Sequence, residues 1–229
     1  MPLDITRVRP PVLERALGDP FLGRIALVSS FGADAVALTH MVSEVDKNLP
    51  VFMIDTEMLF PETLTYQEEV AAHLGLTSVH VIRAKRAALL EKDADGILHV
   101  FDPDACCHLR KVDPLETALD GFNTWISGRR RDQSAERARM APVERDRMGR
   151  IKLNPLADWS ASDVAAYIRA HDLPRHPLVA EGYASIGCAP CTSKIAEGED
   201  QRAGRWRGQK KSECGLHFED GKLIRPRVA

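Results

Sequence analysis

Three short apolar runs, at 24–29, 51–55 and 78–82, are separated by segments of helical length. Between the first two, Val36, Ala37, His40, Met41 and Val45 recur at helical spacing over 33–45. Between the second and third, Pro61 stands where a helix would open, 64–74 continues it and Gly75 stops it. Strands alternating with helices of this length build right-handed βαβ units, and these impose a mostly parallel sheet with helices on both faces. Residues 124–127 and 151–154 read as later strands, and Ser160 with Asp163 opens another helix with a capping-box pattern. From Pro174 onward Gly, Pro and charge dominate without periodicity. The expected organisation is an N-terminal segment 1–23, an α/β domain 24–180 and a tail 181–229 that wraps a site without being an independent domain.

With 229 residues, 44% of them hydrophobic, the chain can bury a core without staples. Its first twenty residues lack an apolar signal-peptide core, and no run of about 18 apolar residues occurs, so a soluble cytoplasmic protein is expected. The net charge of -2 gives no global basic field for nucleic acid. Positive charge is local: Arg129, Arg130 and Arg131 with Arg137 and Arg139, then Arg202, Arg205 and Arg207 with Lys210 and Lys211. For any one of these a solvated face is the plain reading.

The five cysteines sort into a vicinal pair, Cys106 and Cys107, a CxxC pair, Cys188 and Cys191, and a leftover, Cys214. Adjacent cysteines close a disulfide only through a strained ring, whereas two close pairs can surround one soft metal centre. A four-thiolate site of iron-sulfur or zinc type therefore outranks a disulfide framework, with a redox CxxC beside ordinary buried cysteines as the alternative. None of the histidines is assigned to metal.

In an open parallel sheet the ligand lies beyond the carboxyl ends of the strands. The first strand-helix turn there holds Ser29, Ser30, Gly32 and Asp34, whose hydroxyls and glycine suit an anion or serve a tight connection. Asp55 and Thr56 end the second strand on the same edge, where they read a nucleoside or cap the next helix.

Taken in order, SSFGAD at 29–34, IDTE and FPET within 54–63, CCHLRK at 106–111, GRRRDQS at 128–134, GYASIGCAPCT at 182–192, GEDQRAGRW at 198–206 and ECGLH at 213–217 resemble the assimilatory phosphosulfate reductases. More narrowly the chain is similar to the adenosine 5'-phosphosulfate (APS) reductase branch. The resemblance spans roughly 24–217. It implies an adenine nucleotide alpha hydrolase-like domain, related to the ATP pyrophosphatases, and reduction of APS to sulfite and AMP with thioredoxin as donor. It further implies a 4Fe-4S cluster on Cys106, Cys107, Cys188 and Cys191, with Cys214 as nucleophile. Lys111 matches a lysine bridging cluster and sulfate, Arg202 and Arg205 match arginines that hold the phosphosulfate, and His217 matches the tail histidine. Within the arginine triplet Arg130 and Arg131 match the family pair, while Arg129 stands at a position commonly apolar there. A second departure is Arg207-Gly208 after Trp206, where many relatives carry further tryptophans. A homo-oligomer stays open.

Three rivals remain. A reductase of the 3'-phosphorylated substrate (PAPS) would typically lack the four cluster cysteines. An RNA thiolase of the same fold would want a fuller glycine-rich loop. A non-catalytic iron-sulfur regulator would have no use for Cys214.

Overall fold

The structure, a computed structural model, describes residues 11–215. Six strands form one sheet in the order β3-β2-β1-β4-β6-β5. They are β1 Ile25–Val28, β2 Val51–Ile54, β3 Val79–Ile82, β4 Thr124–Ser127, β5 Val143–Arg145 and β6 Ile151–Leu153. All neighbours pair parallel except β5 with β6. The expected topology lacks β5, whose three residues include two charges and so carry no apolar pattern. Its hairpin is closed instead by Asp146, which accepts the Met148 and Arg150 amides, with Gly149 at positive φ.

The helices are α1 Pro11–Gly18, α2 Ala35–Ser43, α3 Pro61–Leu74, α4 Arg86–Lys92, α5 Leu98–Phe101, α6 Pro103–Cys107, α7 Asp113–Ala118, α8 Ala161–Ala170 and α9 Pro177–Ala180. Strand alternation sends Leu27, Val51, Met53 and Ile126 to one face of the sheet, where buried side chains of α1, α2, α3 and α8 meet them. Ala26, Phe52 and Trp125 point to the other face, onto Leu115 and Leu119. Each fully buried Val, Leu or Met of the larger layer contributes about 1.5–3 kcal/mol. The helix signals act as the spacing predicts: Pro61 opens α3, Gly75 ends it at φ +65°, and Ser160 and Asp163 cap α8 reciprocally.

The crossover from β3 to β4 holds α4 to α7, none longer than the seven residues of α4, too short for periodicity to announce. A π-helical turn, His108–Val112, joins α6 to α7. After α9 the chain continues as an irregular strap. Backbone bridges of Leu59 with Cys188 and of Thr192 with Arg205 hold it. Ala189 N–H donates to Met58 at 2.8 Å, and Ser193 N–H to Gly204 at 2.8 Å. Gly204 is required there, since a Cβ would come within 2.1 Å of the Ser193 carbonyl oxygen. Among the described residues no helix is long and apolar enough to cross a membrane.

The chain moves from β1 toward β3 on one side and from β4 toward β5 on the other. The connections therefore diverge above the carboxyl ends of β1 and β4 and leave a crevice between them.

Candidate active site

A cleft of about 230 Å3 occupies that crevice, and the strap closes over it. Its sheet side is the β1–α2 turn. Ser29 Oγ accepts the Phe31 amide and Ser30 Oγ the Gly32 amide, each at 3.3 Å. Phe31 is wholly buried at φ +46°, an anchor that holds the turn in a strained left-handed step. A Cβ on Gly32 would stand 3.1 Å from the Ile186 carbonyl oxygen, so the glycine lets the strap approach. Ser29, Ser30, Gly32, Asp34 and Thr56 all line the cleft.

Asp55 does not. Successive residues leave a strand end on opposite sides, and its carboxylate instead accepts the Glu57 amide at 2.9 Å and Arg83 Nε at 2.8 Å. These contacts tie down the turn after β2 and do not cap the next helix, whose N-cap residue is Phe60.

The arginine triplet divides differently from expectation. Arg130 is fully buried and knots three segments: Nη1 donates to Asp34 at 2.7 Å, Nε to Asp132 at 2.9 Å and Nη2 to Gln201 at 3.2 Å. Arg131 turns outward to the Met140 carbonyl and Asp158. Neither lines the cleft, whereas Arg129, set aside above, does. Its Nε and Nη1 are buried without hydrogen-bond partners, with only a 3.5 Å ion contact to Glu144. Burial, then the Arg137 charge, pushes its pKa down. A buried guanidinium with unused donors is poised for an anion.

The strap side supplies Lys111, Arg202, Arg205, Trp206, Glu213 and Cys214. The Trp206 ring, in a residue at φ +48°, collects three cations: Arg205 at 4.5 Å, Lys211 at 5.6 Å and Arg202 at 5.7 Å. Arg205 lies so close to Gly187 that a Cβ there would meet its guanidinium at 2.3 Å, and its Nε is buried without a partner. Burial, then Arg137, pulls Arg202 down to about 10.

All five cysteines are free. Consecutive residues on α6 point about 100° apart, which excludes a Cys106–Cys107 disulfide. The two cysteine pairs come from separate segments yet sit within electrostatic reach of each other. Burial, with Cys188 adding to it, pushes Cys106 up to about 11 and Cys107 up to about 12. Cys188 goes the other way: burial opposes its thiolate, but the Lys111 ammonium and the Thr56 hydroxyl, 3.2 Å from its Sγ, outweigh burial. Burial works against Lys111 as well, but the neighbouring Cys188 sulfur, the largest opposing influence, pushes its pKa up. Among the described residues no three His, Cys, Asp or Glu side chains are grouped as ligands of a metal ion. His217 lies outside the described residues.

A family model, the phosphoadenosine phosphosulfate reductase domain, matches residues 24–194. The chain belongs to that family. An APS reductase from Mesorhizobium japonicum is 48% identical over 207 residues, 90% of this chain and 81% of the relative. A phosphoadenosine 5'-phosphosulfate reductase from Gloeobacter violaceus is 41% identical over 207 residues, 89% and 84% of the two chains. Among solved structures, a phosphoadenylyl-sulfate reductase from Candida auris in a phosphate complex matches with TM-score 0.67 at 26% identity, covering 84% of this chain and 93% of its own.

Within this phosphosulfate reductase fold, Arg129, Gln133, Arg137 and Glu213 are among the cleft residues that sequence reasoning does not single out as site residues. The only signal for the arginines was local charge density. Glu213 gave none, since a carboxylate in a cationic cleft becomes meaningful only when its partners are known.

Proposed function

We propose that this chain reduces adenosine 5'-phosphosulfate to sulfite and AMP, using Cys214 as the nucleophile. The observation that carries the reading is a lone cysteine in a cleft ringed by Lys111, Arg129, Arg202 and Arg205, above the strand ends of a nucleotide-type sheet. Sulfate and phosphate repel a thiolate, so cations that offset the substrate charge are what such an attack needs. In the first half-reaction the Cys214 sulfur bonds the sulfate sulfur. The sulfur–oxygen bond to phosphate breaks, and its electron pair leaves on AMP. In the second, a dithiol protein of thioredoxin type attacks the Cys214 sulfur, sulfite leaves with the bonding pair, and the donor's other thiol resolves the mixed disulfide.

Ser29, Ser30, Gly32, Asp34 and Thr56 would receive the nucleoside and phosphate side. Lys111, Arg202, Arg205 and, in this reading, Arg129 would receive the sulfate. Arg130 and Arg131 support the turn that carries Arg129. His217 is proposed to join the site from the tail.

Cys106, Cys107, Cys188 and Cys191 would hold a 4Fe-4S cluster: four thiols from two segments, three of them deeply buried, are a soft donor set suited to iron-sulfur ligation. When bound, the cluster would supply structural tethering and electrostatic support, because Cys214 already carries the redox chemistry. In this reading the tail serves the site as a strap, which the backbone bridges of Leu59 with Cys188 and of Thr192 with Arg205 support. A reducing cytoplasm would keep the thiols available.

The test is sulfite release with APS and PAPS in parallel, together with intact-mass analysis. APS without donor should add one SO3 to the Cys214 peptide with stoichiometric AMP, and Cys214→Ser should form no adduct. Higher catalytic efficiency with PAPS, or an adduct on another residue, would overturn the reading.

A further inference from the structure

The four cleft arginines are not equivalent. Arg137 spends every donor group within the protein: Nε donates to Glu213 Oε1 at 2.5 Å, Nη2 to Glu213 Oε2 at 2.8 Å and Nη1 to Gln133 Oε1. Arg129 and Arg205 instead keep buried donors without partners. Glu213 is itself only one-tenth exposed and lies 3.6 Å from Arg202. It immediately precedes Cys214.

Two further contacts run along the same segment. Arg202 Nη2 donates to the Ser212 carbonyl at 2.8 Å, and Lys211 pairs with Asp104 on α6. Residues 211–213 are thus fastened one after another, and the bidentate carboxylate-guanidinium pair is the strongest of the fastenings.

We propose that Glu213 is a positioning residue: with Arg137 it forms a latch that seats Cys214 in the cleft, leaving Arg129 and Arg205 for the substrate's anion. A fork-to-fork pair fixes orientation as well as distance, so the sulfur next to it is held in a defined place. The same latch must open for Cys214 to meet a protein dithiol, which makes the pair a control point between the two half-reactions. The catalytic meaning rests on the function proposed above. The latch itself does not, and it can be tested without substrate.

The experiment follows alkylation of Cys214 by iodoacetamide, a neutral probe, in anaerobic holoprotein, with the modified peptide mapped by mass. Glu213→Gln should speed alkylation roughly ten-fold, the scale expected for losing a charge-assisted buried pair. Removing a carboxylate would also favour a nearby thiolate, so Arg137→Gln is the deciding variant. Loss of a cation disfavours a thiolate, and electrostatics alone would slow the reaction; release of a latch speeds it. Arg129→Gln removes the same charge without touching the latch and should slow alkylation. The double variant Glu213→Arg with Arg137→Glu should restore protection. An unchanged or slower rate in Arg137→Gln, with the other cysteines still unmodified as the check on folding, sinks the latch. If the latch holds and APS yields no sulfite, the function fails and the positioning stands.

Discussion

On the sheet side of the cleft, Ser29, Ser30, Gly32 and Thr56 present hydroxyls and backbone, held by short local bonds and by a buried Phe31. On the strap side, Lys111, Arg202, Arg205 and Glu213 present full charges held by contacts between residues far apart in sequence, as in the 76-residue separation of Arg137 and Glu213. A wall built on regular strand ends, its Asp34 carboxylate already paired with the buried Arg130, is rigid before any ligand arrives. A charged wall, most of it on an irregular strap with Lys111 added from the π-helical turn, gains order from whatever anion or cation faces it, and can therefore exchange partners during a reaction. The first side suits recognition of a nucleoside, the second suits chemistry on an anion.

The harshest way to break this contrast is to remove an anchor of the strap. Cys188 sits at the bridge to Leu59 and beside Thr56, so it ties the two sides together. Cys188→Ser should lose iron and acid-labile sulfide and lower activity at least about 100-fold, beyond what loss of an outer-shell partner costs. Far-UV circular dichroism should persist, because the sheet and its helices do not depend on the strap. Retention of iron by this variant would show that Cys188 is not a ligand.

A smaller perturbation acts on the strap's own backbone. In Gly204→Ala the new Cβ must push away the Ser193 carbonyl, a backbone atom with no side-chain freedom to yield. Overpacking of this kind costs about 1–3 kcal/mol. Since Arg205 is the next residue, APS affinity should fall roughly ten-fold or more through its displacement. An unaltered dissociation constant for APS would mean that the Arg205 guanidinium does not read the substrate.

The two sides were also unequally legible. Short apolar runs mark the strands β1, β2, β3, β4 and β6 and the 3.6-residue period marks the long helices, because burial writes itself into local sequence. The crossover helices α4 to α7 escaped because each is too short to show a period, and β5 because charged residues fill it. In the site, motif order pointed to the cysteines, Lys111, Arg202 and Arg205. It favoured Arg130 and Arg131 where Arg129 lines the cleft, since which of three neighbouring arginines faces a cleft depends on how the chain leaves β4 and on Asp34, Asp132 and Gln201 capturing Arg130. The Arg137–Glu213 pair had no local signature at all.

The mildest test separates the two sides by pH. His176 lies where the sheet domain hands over to the strap and is almost completely buried. Its Nε2 lies 2.9 Å from Thr63 Oγ1, its Nδ1 accepts the Leu178 amide at 3.3 Å, and its ring packs 4.9 Å from Tyr66. Burial lowers its pKa from 6.5 to about 4, with Glu62 opposing weakly. Between those values the unfolded chain binds a proton that the folded chain refuses, so stability is intact above about 6.5 and declines as pH falls toward 4, by up to about 3 kcal/mol. The strap's carboxylates work in a lower window. Burial opposes ionisation of Glu213, but Arg137 and Arg202 outweigh it and depress its pKa below the ordinary 4.5, so its stabilisation persists above 4.5 and is lost only as pH falls further. Urea unfolding from pH 7 to 4.5 should therefore show a slope that His176→Asn flattens and Glu213→Gln leaves intact, even though His176→Asn starts from lower stability at pH 7. The same slope in His176→Asn would move the acid sensitivity away from this buried ring.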